Sequence, residues 1–152
     1  MFNIKNIIVP TDLSKVSLSA FNYAKSIAIQ WNAKIHILSV IDPQPAILTL
    51  QSNEQSEQDY LSGLKTKIEE ELNEIKTELI NSDDLDIESV IKIGKDYEEI
   101  VKYSNEISAD LIVIATHGRT GVLHTLLGSV AEKVIRYAKC PVLVTTPTED
   151  DL

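Results

Sequence analysis

The sequence predicts one α/β domain built on a doubly wound, five-stranded parallel sheet with helices on both faces. Short apolar runs alternate with segments of helical periodicity along the chain. Each apolar run is hydrophobic on both of its faces, which is typical of strands buried between two layers of helices. Right-handed crossovers between parallel strands place helices on both sides of the sheet. We expect a single domain over residues 1–152, with a polar tail at 147–152.

Five apolar runs are the predicted strands. The first, Ile4–Pro10, stops at its proline, and the second, Ala33–Asp42, is followed by two further prolines. The third is Ile87–Gly94, and the fourth and fifth are "ADLIVIA" at residues 109–115 and "CPVLVTT" at residues 140–146. Ligands of such sheets bind beyond the carboxyl ends of the strands, where the winding direction reverses.

Four segments between these strands have helical periodicity. In the first, with Ser14 as its predicted N-cap, the apolar residues recur at helical spacing: Val16, Ala20, Ala24, Ile27 and Trp31. The second, Glu54–Ile80, carries an apolar stripe, for which packing on the sheet is favoured over a coiled coil with a partner. The last two predicted helices cover residues 96–107 and 128–138.

Composition and charge exclude several classes of partner. The formal net charge is −9 and the lysines and arginines form no cluster, so we expect no nucleic acid and no anionic membrane as a partner. The apolar runs are far shorter than the roughly 20 residues of a membrane span. Cys140 is the single cysteine and the first residues do not resemble a signal peptide. We therefore expect a cytoplasmic protein with an inert thiol.

A glycine-bearing loop joins the fourth strand to the fourth helix. It reads "ATHGRTGVLHTLLGS" from Ala115 to Ser129, with Gly118 in the loop and Gly128 at the helix start. Glycines there let backbone amides approach a phosphate, and the helix N-terminus favours an anion. The spacing alone leaves both an anion site and a structural turn open. It matches neither the P-loop motif nor the dinucleotide fingerprint.

Six stretches in order resemble the universal stress protein family over nearly the whole chain. They are "IIVPTDLS", "ILSVID", "GKDYEEIV", "ADLIVIATHGRTG", "LLGSVAEKVI" and "CPVLVTT". The resemblance implies a Rossmann-like sheet of strand order 3-2-1-4-5 and a homodimer. An apolar edge strand at Val142–Thr145 would pair across the twofold axis.

One branch of this family binds ATP through the motif G-x2-G-x9-G-[ST]. Gly118, Gly128 and Ser129 match the later positions of this motif. Ala115 replaces its first glycine and narrows the crevice on the ribose side of the nucleotide. The resemblance also implies that Pro10, Thr11 and Asp12 contact the nucleotide after the first strand, with Asp12 on the nucleoside side, and that the Val40 backbone meets the adenine edge. His117 and Arg119 flank Gly118 in the binding loop, where Arg119 either reaches the phosphates or is solvated.

The leading interpretation is a homodimeric universal stress protein that binds ATP and acts in regulation. The alternatives are a nucleotide-free interaction module and a slow ATPase. The loop "PTDLS" after the first strand lacks the motifs of related nucleotidyl transferases, so a dedicated enzyme is not expected. No residues have metal-ligand spacing, so any Mg²⁺ is expected to arrive with the nucleotide.

Overall fold

The structure is a computed structural model that describes residues 3–43, 54–80, 84–116 and 127–147. The strands are β1 (Asn6–Pro10), β2 (Lys34–Ile41), β3 (Ile87–Ile93), β4 (Leu111–Ala115) and β5 (Val142–Thr145). The helices are α1 (Lys15–Trp31), α2 (Glu54–Leu79), α3 (Asp96–Glu106) and α4 (Ser129–Tyr137). The predicted elements are all present, but each strand is one to three residues shorter than its apolar run because pairing ends before the hydrophobic stretch does.

The strands form one parallel sheet in the order β3-β2-β1-β4-β5, as the family resemblance implied. β1 therefore lies between β2 and β4, and the winding direction reverses between β1 and β4. The chain leaves the carboxyl ends of β1 and β4 in opposite directions, which opens a crevice at that edge of the sheet.

Two hydrophobic layers cover the two faces of the sheet. One contains Phe21 of α1 and Leu72 of α2, both fully buried, so α2 packs on the sheet as its stripe predicted. The other contains Ile100 of α3 and Val134 of α4. Each fully buried large side chain of this kind contributes about 1.5–3 kcal/mol relative to an exposed one.

Two expectations about burial are wrong. The edge strands β3 and β5 are only partly buried, because each has a neighbour on one side among the described strands. Trp31 belongs to the predicted stripe of α1 but is 38% exposed at the helix end, while Phe21, outside that stripe, is in the core. The helix itself begins as predicted, because the Ser14 side chain accepts a hydrogen bond from the Ser17 backbone N–H at 3.1 Å.

Candidate functional site

A cleft of about 280 Å³ lies at the carboxyl ends of β1, β2 and β4, where the winding reverses. Seven of the predicted site residues line it: Pro10, Thr11, Asp12, Val40, Ala115, Gly128 and Ser129. The other three, His117, Gly118 and Arg119, lie outside the described residues. The fold therefore brings together side chains and backbone groups from four separate parts of the chain.

The turn between β1 and α1 is held by its own short polar side chains. The Thr11 hydroxyl accepts a hydrogen bond from the Leu13 N–H at 2.9 Å and lies 2.7 Å from the Ser17 hydroxyl. These bonds hold Leu13 in the left-handed region, at φ 69°. The turn thus presents Thr11 and Asp12 to the cleft in a defined geometry.

Asp12 has a structural role in this turn as well as a place in the cleft. Its carboxylate accepts hydrogen bonds from the Ser14 backbone N–H at 3.0 Å and from the Ser14 hydroxyl. The Ser14 hydroxyl in turn caps α1. A carboxylate that orders a turn and also faces a cleft is held in a fixed orientation, which suits recognition of hydrogen-bond donors.

The amino end of α4 forms the opposite wall of the cleft. Its first-turn residues, Ser129, Val130 and Ala131, line the cleft together with the N-cap, Gly128. Gly128 anchors the helix start because its N–H donates to the Thr116 carbonyl at 2.7 Å. As glycine, it supplies no side-chain cap to the first-turn amides.

Gly128 does not require the conformational freedom of glycine. Its backbone is extended, at φ −68° and ψ 148°, which other residues also adopt. What glycine provides at this position is therefore the absence of a side chain beside the amides of α4. This distinguishes Gly128 from a glycine that is needed only to form a turn.

Ala115 is the last residue of β4 and is 6% exposed in the wall of the cleft. The cleft has its volume of about 280 Å³ with the Ala115 methyl group present. Leu38 of β2 and Ile114 of β4 add apolar lining beside it. The cleft thus has an apolar interior between the polar β1–α1 turn and the helix amides.

The sequence model of the universal stress protein family matches residues 3–146. The chain belongs to the universal stress protein family. A universal stress protein of Methanocaldococcus jannaschii is 36% identical over 149 residues, covering 92% of this chain and 81% of that protein. Solved structures that share the fold of this chain include universal stress proteins.

Two solved structures show how closely the fold is shared. The hypothetical protein MJ0577 superimposes with a TM-score of 0.84 at 29% identity, covering 96% of this chain and 98% of its own. A universal stress protein in complex with cAMP superimposes with a TM-score of 0.70 at 27% identity, covering 96% and 99%. Because each of these matches covers 96% of this chain, the sheet described above belongs to the shared fold.

Several residues of the universal stress protein cleft were not predicted. The most distinctive is Asp96, the first residue of α3, which lines the same cleft as Asp12. Ser17 and Thr116, both buried, also contribute to the lining. A signal for Asp96 was present in the sequence, because Asp96 follows the third strand as Asp12 follows the first, and parallel strands end at the same edge.

The described residues contain no group of three or more His, Cys, Asp or Glu side chains that could hold a metal ion. Across the same part of the chain, no helix is both long enough and apolar enough to cross a membrane. The Cys140 thiol is half-buried, and burial raises its pKa, so it is mainly protonated near neutral pH.

Proposed function

We propose that the cleft binds an adenine nucleotide, specifically ATP, and that nucleotide binding serves regulation rather than a dedicated reaction. One observation carries the proposal: the first turn of α4, begun by a glycine without a side-chain cap, lines a preformed cleft at the winding reversal. Phosphate oxygens accept hydrogen bonds from such amides, and the helix dipole favours their charge.

Because the protein is acidic, backbone amides are better suited than cationic side chains to bind the phosphates of the ligand. The net charge is −9, and the described lining of the cleft contains no lysine, arginine or histidine. Amides at a helix end provide positive potential without a cationic side chain. The related protein solved in complex with cAMP supports an adenine nucleotide as the ligand class.

The other end of the cleft suits the nucleoside. Asp12 lines the cleft, and hydrogen bonds from Ser14 hold its carboxylate, which would accept from ribose hydroxyls or the adenine amine. Val40 and Ile100 supply apolar surface for the base. Phosphates would be repelled from Asp12, so the ligand enters with its phosphates toward α4. Mg²⁺ would arrive with the phosphates.

Calorimetric titration of ATP tests the proposal directly. The wild type should bind one nucleotide per chain, and Gly128→Val should abolish binding because its side chain occupies the space beside the α4 amides. Gly63→Val is the matched control, because a β-carbon at Gly63 in α2 meets nothing within 4 Å. Each variant is first confirmed as folded by circular dichroism.

Substitutions at Ala115 and Gly118 extend the same titration experiment. Ala115→Gly should keep binding or strengthen it by about tenfold at most, equivalent to about 1.4 kcal/mol. Gly118→Val should remove binding as well, because we propose that this glycine of the loop faces the phosphates. If only Ala115→Gly binds ATP, the alanine closes the site and the chain is an interaction module. If no folded variant binds ATP, the proposal is wrong.

We also propose a homodimer through β5. This strand pairs with β4 on one side and with no described strand on the other, and its outward Leu143 is 36% exposed. The opposite edge strand, β3, carries Glu88 and Lys92, and charged side chains discourage edge-to-edge pairing. β5 has no charged residue, so it is the edge suited to a second copy. A monomeric mass by light scattering at micromolar concentration would contradict this.

A further inference from the structure

The half-buried carboxylate of Asp96 is the feature of the cleft that the proposed function leaves unexplained. Asp96 is the first residue of α3 and lines the same cleft as Asp12. The two residues follow β3 and β1, so they lie on the side of the cleft away from β5, while Gly128 and the first turn of α4 lie toward β4 and β5. The cleft is therefore acidic at one end and lined by amides at the other.

Asp96 has no neutralising partner among the described residues. No hydrogen bond or ion pair joins its carboxylate to any of them, and the nearby charges are the carboxylates of Asp42 and Asp12. The adjacent Lys95 is engaged elsewhere, since its ammonium pairs with Glu98 at 3.2 Å and lies 5.1 Å from the Tyr97 ring centroid. Burial raises the pKa of Asp96, and Asp42 and then Asp12 raise it further.

A half-buried carboxylate without a neutralising partner discriminates between ligands by charge. It accepts hydrogen bonds from hydroxyl groups, which relieves the cost of its partial burial. It repels a phosphate brought to the same place, because two like charges in a partly desolvated cleft interact more strongly than in bulk water. In dinucleotide-binding folds an acidic residue that accepts from a ribose hydroxyl likewise suits a ligand without a phosphate on that hydroxyl.

We propose that Asp96 is a specificity-determining residue, which selects nucleotides with phosphates on the 5′ position and rejects those with a phosphate monoester on the 2′ or 3′ hydroxyl. This inference rests on the proposed function, because it needs the nucleoside at the acidic end and the 5′ phosphates at the α4 amides. Asp96 supplies the selectivity, and Asp12 holds the nucleoside beside it.

The test is calorimetric titration with 5′-AMP, 3′-AMP and 2′-AMP, which share one base and one phosphate and differ in where that phosphate is attached. The wild type should prefer 5′-AMP over the other two by about tenfold or more. Asp96→Asn removes the charge with little change of shape, and should reduce this preference at least about threefold by strengthening 3′-AMP and 2′-AMP binding.

Glu99→Gln is the matched control. It makes the same change of charge in the first turn of the same helix, but Glu99 does not line the cleft, and its substitution leaves the ion pair between Lys95 and Glu98 in place. Its preference for 5′-AMP should equal that of the wild type. This control separates a local effect of Asp96 from a general change in net charge or in helix stability.

The outcomes separate this inference from the proposed function. If the wild type binds 5′-AMP but Asp96→Asn leaves the preference unchanged, or Glu99→Gln lowers it equally, the role of Asp96 is refuted and the nucleotide site stands. If the wild type binds none of the three nucleotides and no ATP, the proposed function and this inference fail together. If Asp96→Asn is unfolded, Asp96→Ser is titrated in its place, with the same expected loss of preference.

Discussion

Gly94→Ala should destabilise the protein, because Gly94 connects β3 to α3 in a conformation that alanine rarely adopts. Gly94 has φ 153° and donates its N–H to the Ile41 carbonyl at 2.9 Å, which fixes it against the end of β2. A β-carbon there would lie 2.7 Å from Glu99 Cγ and 2.9 Å from Glu99 Oε1. The substitution therefore meets both backbone strain and a steric contact.

The two contributions differ in size. Backbone strain of this kind costs about 1–3 kcal/mol. The contact costs less, because it is made with the flexible side chain of Glu99, which moves aside. We therefore expect Gly94→Ala to lower the free energy of unfolding by about 1–3 kcal/mol, and the melting temperature by about 2–4 °C for each kcal/mol in a domain of this size.

Urea unfolding followed by circular dichroism measures this effect, and a double mutant separates the two causes. Glu99→Ala in the Gly94→Ala background should recover less than about half of the loss, because removing the contact leaves the strain. Gly63→Ala is the control: nothing lies within 4 Å of its β-carbon, so alanine should stabilise α2 by about 0.5–1 kcal/mol. A change below about 0.5 kcal/mol in Gly94→Ala, or full recovery in the double mutant, would refute the strain argument.

Three further substitutions test the cleft, the buried histidine and the edge of the sheet. Asp12→Ala should weaken the binding of ATP and of AMP by comparable factors, because we propose that Asp12 acts on the nucleoside side; loss of hydrolysis with intact affinity would instead make it catalytic. Burial lowers the pKa of His36 below 6.5 although Glu88 lies 3.7 Å away, so protonation favours the unfolded state. The stabilisation that neutral His36 contributes is therefore fully present above about pH 6.5 and decreases as the pH falls below that value. In urea unfolding, His36→Gln should lose less free energy of unfolding than the wild type between pH 7.5 and pH 5.5, and an equal loss would contradict this. Leu143→Lys should shift the mass measured by light scattering from dimer toward monomer, and an unchanged dimer would place the interface elsewhere.

Local signals in the sequence were sufficient for the elements and for part of the cleft. Apolar runs located all five strands, and Ser14 was correctly expected to cap the first helix. Gly128 was correctly expected at the start of the fourth helix. These features depend on hydrophobic periodicity and on side chains a few residues away, which are visible in the sequence itself. The strand order was available only through the family resemblance, because periodicity does not say which strands are neighbours.

Which residues meet, and how far each is buried, depends on the folded chain as a whole. Asp96 joins Asp12 in one cleft because β3 and β1 end at the same edge of the sheet, although the two residues are far apart in the sequence. Trp31 is exposed at its helix end, and the edge strands are only half covered, because burial depends on what packs against a residue rather than on its own hydrophobicity. The buried His36 lies 2.9 Å from the Tyr103 hydroxyl for the same reason: the sheet and α3 place them in contact across the core, and no local pattern in the sequence records a contact made by chain segments that meet only on folding.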